Sequence, residues 1–296
     1  MVELSCNPLK MAYILNDTTI FDTGHLNPLD VYRLSIGNRG FLGMRWALSK
    51  GLGYHHFLDE AATTGNLKQL QYLYNKGYPW NNLTCTLAAK NGHLDCLIYL
   101  HEANCPWGRG TCTEASANGH LDCLIYLHEQ NCPWGRGTCT GAAANGHLEC
   151  LRYAHENGCP WDRRTTEFAA MTGQLDCLIY ALENDCDSDI LICNVPAANG
   201  HLDCLQYLHE EEYEWYSVTC ELAAEYGHLD CLIYLHENGC PWDRDTTRLA
   251  AYKSHLDCLK YAIENGCPVD ESICTIRYPL AMDSDIINYL EAKGLC

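Results

Sequence analysis

Along most of this chain, apolar residues fall at three- and four-residue spacings inside short blocks, separated by polar or glycine-bearing turns. In Leu121-Asp-Cys-Leu-Ile-Tyr-Leu-His128, Leu121, Leu124 and Leu127 lie three apart while Cys123 and Tyr126 widen the apolar face beyond one stripe. That pattern predicts a short helix with one buried face, and Asp122 in its first turn suits the positive end of the helix dipole. The preceding block starts at Thr111, a residue suited to an N-cap. Glu114 stands three positions later as in a capping box, and the block ends at Asn118-Gly119, where glycine marks a helix terminus. Four of the second blocks run into Asn-Cys-Pro-Trp or Asn-Gly-Cys-Pro-Trp, in which proline stops the helix. No block alternates with the period of two that a strand requires.

The paired blocks repeat. Gly65, Gly92, Gly119, Gly146, Gly173, Gly200, Gly227 and then Ser254 fall 27 residues apart, a phase too regular for chance. Units therefore start at 57, 84, 111, 138, 165, 192, 219 and 246. An irregular last unit runs from 273, where Asp285-Ile-Ile-Asn-Tyr-Leu290 repeats the second half. A helix pair of this size cannot cover its own apolar face, whereas stacked pairs share one core. The expected fold is an all-α solenoid of stacked helix-turn-helix units over residues 57–296. At ~8–10 Å per layer the stack would be roughly 80 Å long. Residues 1–56 hold no copy of the repeat.

The unit Thr-Cys-x-x-Ala-Ala-x-Asn-Gly-His-Leu-Asp-Cys-Leu-x-Tyr-Leu resembles the ankyrin repeat. The likeness rests on the Ala pairs (Ala88-Ala89, Ala142-Ala143, Ala169-Ala170, Ala223-Ala224, Ala250-Ala251) and on the Gly-His-Leu start of the second helix. The period of 27 is about six shorter than the family's, which implies a tight loop instead of a β-hairpin finger. The family's Pro-Leu-His stretch is absent. Short units rich in Cys-Pro-Trp resemble those of ankyrin-type proteins from giant DNA viruses and protists. The resemblance implies a protein-binding scaffold whose first helices and loop tips line a concave face.

Charge is uneven. The whole chain carries a formal −19. Residues 1–56 hold five basic and four acidic side chains, so 14 basic and 34 acidic residues, a net −20, fall on the array. Such a surface repels phosphate backbones and favours a basic protein partner over nucleic acid. The first residues read neither as an export signal nor as a membrane span, so the expected location is the cytoplasm (host cytoplasm for a viral protein) or the nucleus. There the 21 cysteines should act as small buried apolar groups, with no disulfide and no metal needed for the fold.

Chemistry follows the repeat phase. Cysteines form three ladders: Cys85 to Cys274 in first helices, Cys96 to Cys258 in second helices, Cys105 to Cys267 in loops. Within a unit the spacing allows approach of Cys105 to Cys112, Cys132 to Cys139, Cys186 to Cys193 and Cys267 to Cys274. Cys159 and Cys240 face Thr166 and Thr247 instead, so the pairing is not obligate. Structural metal is the minor alternative, since no zinc-type Cys or His pair occurs. Histidines fall into a helix-start set (His93, His120, His147, His201, His228, His255) and a helix-end set (His101, His128, His155, His209, His236). A group copied in five or six units does one local job many times, unlike a catalytic constellation of unlike groups. No enzyme and no cofactor are expected. Loop tryptophans Trp80, Trp107, Trp134, Trp161, Trp215 and Trp242 read either as packing between neighbouring units or as binding hot spots.

Two segments carry candidate binding chemistry. The third and seventh residues of first helices share a face and vary between units. From 165 onward they place Glu167, Met171, Glu221, Glu225, Arg248 and Tyr252 beside loop residues Arg163, Arg164, Glu212, Glu214 and Arg244, a mixed-charge stripe suited to a specific partner. A second-helix row of Ile98, Ile125, Ile179 and Ile233 is the alternative surface. Residues 25–42 resemble the second half of an F-box, with Leu26, Leu29, Val31 and Leu34 as apolar contacts. That resemblance implies an adaptor bound to a cullin ligase linker subunit. The same residues could instead cap the first repeat.

Overall fold

The computed structural model describes residues 55–270, 273–275 and 283–296. Among them every regular element is helical. In chain order the pairs are α1 (His55–Thr63) with α2 (Leu67–Asn75), α3 (Asn82–Lys90) with α4 (Leu94–Glu102), and α5 (Arg109–Ala117) with α6 (Leu121–Glu129). They continue with α7 (Arg136–Ala144) and α8 (Leu148–Glu156), α9 (Arg163–Met171) and α10 (Leu175–Glu183), and α11 (Asn194–Asn199) and α12 (Leu202–Glu210). Then come α13 (Ser217–Glu225) with α14 (Leu229–Glu237), α15 (Arg244–Tyr252) with α16 (Leu256–Glu264), and a terminal α17 (Ser284–Ala292). The 27-residue phase thus corresponds to one helix pair per unit. The described residues divide into two compact units. One runs to Ala115 and includes Asp122–Cys132, and the other holds Ser116–Leu121 and Pro133–Cys296.

First helices begin earlier than the sequence suggested. Thr84, Thr138, Thr165, Thr219 and Thr246 are not N-caps but buried third residues of their helices. The N-cap is the residue three before, such as Asn81, Asp162 or Asp243, whose side chain accepts from the backbone N–H two residues on. Threonine contributes from inside, as when the Tyr216 N–H donates to Thr219 Oγ1 at 3.2 Å. Facing the core from the helix is compatible with a small half-apolar side chain. An exposed cap position has no such demand. α11 is the short one, because Pro196 lacks an N–H and stands in its first turn, the place where proline is tolerated.

In the first unit, α1 packs on α3 and α2 on α4. His93 Nε2 donates to the Thr63 carbonyl of the preceding repeat at 2.9 Å. On the outer side, His101 Nδ1 lies 2.9 Å from the Tyr126 hydroxyl of the next repeat. Trp107 stacks on His101 at 3.9 Å and meets Tyr126 edge-on. Tyr74, Trp80 and Tyr99 make the same arrangement one repeat earlier, with a tyrosine in place of the histidine.

The second unit repeats both stitches. Its first helices α7, α9, α11, α13 and α15 pack in succession, as do α8, α10, α12, α14 and α16 behind them. His201 Nε2 reaches Met171 O at 3.0 Å and His228 Nε2 reaches Ala198 O at 3.1 Å. A carbonyl can only accept, so Nε2 carries the proton in both rings. Outside, His155, His209 and His236 pair with Tyr180, Tyr234 and Tyr261, each histidine beneath Trp161, Trp215 or Trp242 of its own loop. Both histidine sets therefore join neighbouring repeats. The loop tryptophans named in these stacks pack between repeats, as the structural reading expected.

Cysteines fill the interior, with two corrections. The thiols brought together are not seven residues apart. They are Cys85 with Cys105, Cys139 with Cys159 and Cys220 with Cys240, because each loop folds back over the start of its own first helix. Cys85 donates to Cys105 O and Cys105 in turn to Asn81 O at 3.2 Å. Thr166 and Thr247 replace the first-helix thiol and donate to Asp187 O and Pro268 O, both at 2.9 Å. The second correction lies at the C-terminus, where Cys274 and Cys296 are joined in a disulfide. Both are exposed. Cys274 sits in a single 3-10 turn, Ile273–Thr275, outside the covered interior where its ladder partners stay reduced.

Two substitutions test these stitches. Gly200 has φ +75°, and a Cβ there would lie 2.5 Å from His228 Nδ1, while Gly158 at φ +78° faces open space. Gly158→Ala should cost about 1 kcal/mol in backbone strain. Gly200→Ala should cost ~2 kcal/mol more through the displaced ring and its lost hydrogen bond, a gap of roughly 5 °C in Tm by calorimetry. Equal midpoints would refute the stitch. For the C-terminus, Cys296→Ser should speed amide exchange throughout α17 and leave α12 to α16 unchanged in hydrogen-exchange mass spectrometry.

Candidate protein-interaction surface

The exposed face of the second unit's first helices is set by what the stacking leaves over. In α9, Thr165, Thr166, Ala169 and Ala170 are buried, so Arg163, Arg164, Glu167, Phe168 and Met171 turn away from the core. The same division recurs in α13 and α15, where Thr219, Cys220, Ala223 and Ala224, then Thr246, Thr247, Ala250 and Ala251, point inward. Small inward residues let successive first helices approach closely. Direct side-chain links follow, including Thr219 Oγ1 to Asn194 Oδ1 at 2.7 Å.

Every residue of the sequence-derived stripe keeps some exposure. Arg163, Arg164, Glu212, Glu214 and Arg244 are exposed, Met171 and Tyr252 are each 38% accessible, and Glu167, Glu221, Glu225 and Arg248 are half-buried. Several of its cations are engaged within the surface. Arg163 meets Asp189 at 3.3 Å and Glu167 at 3.7 Å, Arg248 meets Asp245 at 2.8 Å, and Lys253 holds Glu225 at 3.3 Å. These exposed pairs add little stability, but they offset positive charge locally. Glu214 accepts from the Tyr216 hydroxyl at 2.5 Å, which pushes the phenol up from its ordinary value. Glu221 accepts from Ser217 Oγ at 3.1 Å. Burial holds its carboxyl above the usual range against that bond, with repulsion from Asp243 and Asp245 adding to the rise and Arg248 opposing it.

Sequence reasoning missed the apolar part. Phe168, Ile190, Leu191, Tyr216 and Tyr226 are exposed beside Met171 and Tyr252, with Ile190 at 72%. The signal was present in the repeat: Phe168 stands where Glu114 and Gly141 occur, Leu191 where Gly110 and Arg164 occur, and Tyr226 where Asn91 and Asn118 occur. A position that accepts Glu or Asn elsewhere is not core. The alternative isoleucine row is different, since Ile98, Ile125, Ile179 and Ile233 are all half-buried among the second helices. Leu26, Leu29, Val31 and Leu34 of the F-box-like segment lie outside the described residues.

The second-helix thiols are shielded and held protonated. Burial and the neighbouring Asp push Cys96, Cys123 and Cys258 up to about 11, so they stay protonated and poorly nucleophilic at neutral pH. Among the described residues no three His, Cys, Asp or Glu side chains are placed to hold a metal ion, and no helix is long and apolar enough to cross a membrane.

An array of stacked helix pairs, with its variable side chains gathered on the first helices, defines a helical-repeat scaffold. The family described as ankyrin repeats (many copies) matches residues 58–101 and 140–182, one stretch in each compact unit. These two stretches are similar to ankyrin repeats, a module generally used for protein–protein interaction. No curated protein matches the sequence.

Glu221 gives a pH test of this surface. Its raised pKa means that ionisation costs the folded state stability, absent below the ordinary carboxyl pKa and fully present above the raised one. Glu221→Gln should therefore raise Tm at pH 8, and the difference should vanish toward pH 4 as the wild-type carboxyl protonates. A difference independent of pH would contradict the assignment.

Proposed function

We propose that this protein is a non-catalytic scaffold that binds a basic protein partner on the concave side of its second unit, over the first helices α9, α11, α13 and α15. One observation carries the reading. Seven of the large apolar side chains that stand exposed, Phe168, Met171, Ile190, Leu191, Tyr216, Tyr226 and Tyr252, fall on these helices or at their ends. Apolar exposure concentrated in one place marks an interaction site in a globular protein. Aromatic side chains amid acidic groups supply anchors and electrostatic selection together. Acidic residues outnumber basic ones over the array, which supports a basic partner and opposes nucleic acid.

A second reading extends the first. The segment from His25 to Leu42 resembles half of an F-box, which favours a substrate adaptor of a cullin-type ubiquitin ligase with the array selecting the target.

Affinity purification of the full chain from its native cell tests both. A variant carrying Phe168→Ala, Tyr226→Ala and Tyr252→Ala should keep its Tm, because all three side chains are exposed. It should lose the main partner by ~100-fold or more in affinity, since anchor truncations cost about 2 kcal/mol each. Retention of the partner at wild-type level would move the site off this face. Recovery of a cullin linker, lost when Leu29 and Leu34 become Ala, supports the adaptor; a chain that never recovers one acts as a scaffold alone.

A further inference from the structure

The chemistry of the partner can be narrowed, on the basis of the function just proposed. The fourth residue of the units from 165 to 246 is Phe168, Val195, Leu222 and Leu249, whereas the same position holds Glu114 and Gly141 in the two units before. An unbroken apolar column therefore runs across four neighbouring first helices. Phe168 is 37% accessible and the other three are half-buried, so the column is a floor and not part of the core.

Rims flank that floor. Leu191 stands one turn before Val195. Met171, Tyr226 and Tyr252 stand one turn after Phe168, Leu222 and Leu249, and all four rim residues are more than one third accessible. Glu221 and Glu225 border the same floor. Lys253 pairs with Glu225 and Arg248 with Asp245, while Glu221 lies in the field of Asp243 and Asp245 with only Arg248 opposing them, so the four carboxylates meet two cations. The site thus offers apolar contact at regular intervals with unbalanced negative charge between.

The interval selects the occupant. These helices touch through side chains, so their axes lie ~8–10 Å apart. A β-strand presents same-face residues about 6.7 Å apart and falls out of step by the second helix. An α-helix matches only every seventh residue, at ~10.5 Å, and would need more than 20 residues to bring four side chains onto the floor. A polyproline-II segment repeats every three residues at ~9.3 Å and spans the four columns with about ten. We propose that the partner presents an extended basic segment, with an apolar side chain at every third residue and Lys or Arg between, laid across α9, α11, α13 and α15.

The probe is a synthetic peptide of Leu-Pro-Lys repeated four times, titrated against the full chain by fluorescence anisotropy at physiological salt. Two comparison peptides of the same composition and length carry leucine at every second position or clustered at one end. The three-residue spacing should bind at least about tenfold more tightly than either, and Phe168→Ser, an exposed change, should weaken it by about tenfold. Leu222→Asp should abolish the binding, with Tm reported alongside because Leu222 is half-buried. Equal affinity for all three peptides, or indifference to Phe168→Ser, overturns the proposal. A peptide that fails while the native partner is still lost from the Phe168, Tyr226 and Tyr252 variant overturns only the three-residue spacing; a partner indifferent to that variant overturns the binding face as well.

Discussion

Everything in this fold depends on how one repeat grips the next, and the grip is a histidine ring lying against a glycine. At Gly200 and His228 the ring occupies the volume a Cβ would need, while its Nε2 ties down the carbonyl of Ala198 at the end of the preceding first helix. The left-handed glycine turn and the imidazole are thus one device. The turn frees a carbonyl that the helix cannot satisfy internally, and the ring from the next repeat satisfies it. A second tie, from helix-end histidine to the next tyrosine beneath a loop tryptophan, works on the opposite side of the pair. With the finger shortened to Cys-Pro-Trp, these two side-chain ties join repeats where a longer loop is absent.

The cysteines solve a different problem. A tight loop carries backbone carbonyls into the interior, and buried carbonyls require donors. Cys105 and Cys240 supply a weak donor at the N-cap carbonyls of Asn81 and Tyr216, and Cys85 supplies one for the loop itself. Where threonine takes over at 166 and 247 the bond shortens to 2.9 Å, as expected for a hydroxyl. Thr138, Thr165 and Thr246, buried without an oxygen or nitrogen partner, lie beside the sulfurs of Cys159, Cys186 and Cys267. Sulfur tolerates such imperfect geometry while still filling space like a small apolar group.

Much of this was legible in the sequence for a physical reason. A 27-residue phase fixes the helix pairs because identical local contacts demand identical spacing, and the helix starts at Leu121 and Leu229 follow from it directly. The misreadings share one origin, in that they concern which segments meet in space. Thr111 looks like a cap until the loop before it is seen to enter the helix two residues early. Cys105 looks closer to Cys112 than to Cys85 until the loop folds back. The charged half of the proposed binding surface was visible as variation between units. Its apolar half was not, because Phe168 or Leu222 viewed singly resembles core.

That division of labour separates the surface positions of the first helices from most of the contacts that hold the fold. The ties between repeats draw on the residues that begin and end the second helices, on loop tryptophans and thiols, and on the small inward residues of the first helices. The ties at the second helices and loops use no side chain at the third, fourth, seventh or eighth residue of a unit, although the Thr219–Asn194 bond and the Glu225–Lys253 pair between first helices do. Those positions hold Glu167, Phe168, Met171 and Thr172 in one repeat and Arg248, Leu249, Tyr252 and Lys253 in another, with α9 and α15 keeping the same length and the same four buried positions. Recognition chemistry is therefore free to vary on a lattice whose spacing does not. A ligand read by such a lattice must match its interval before its side chains can matter.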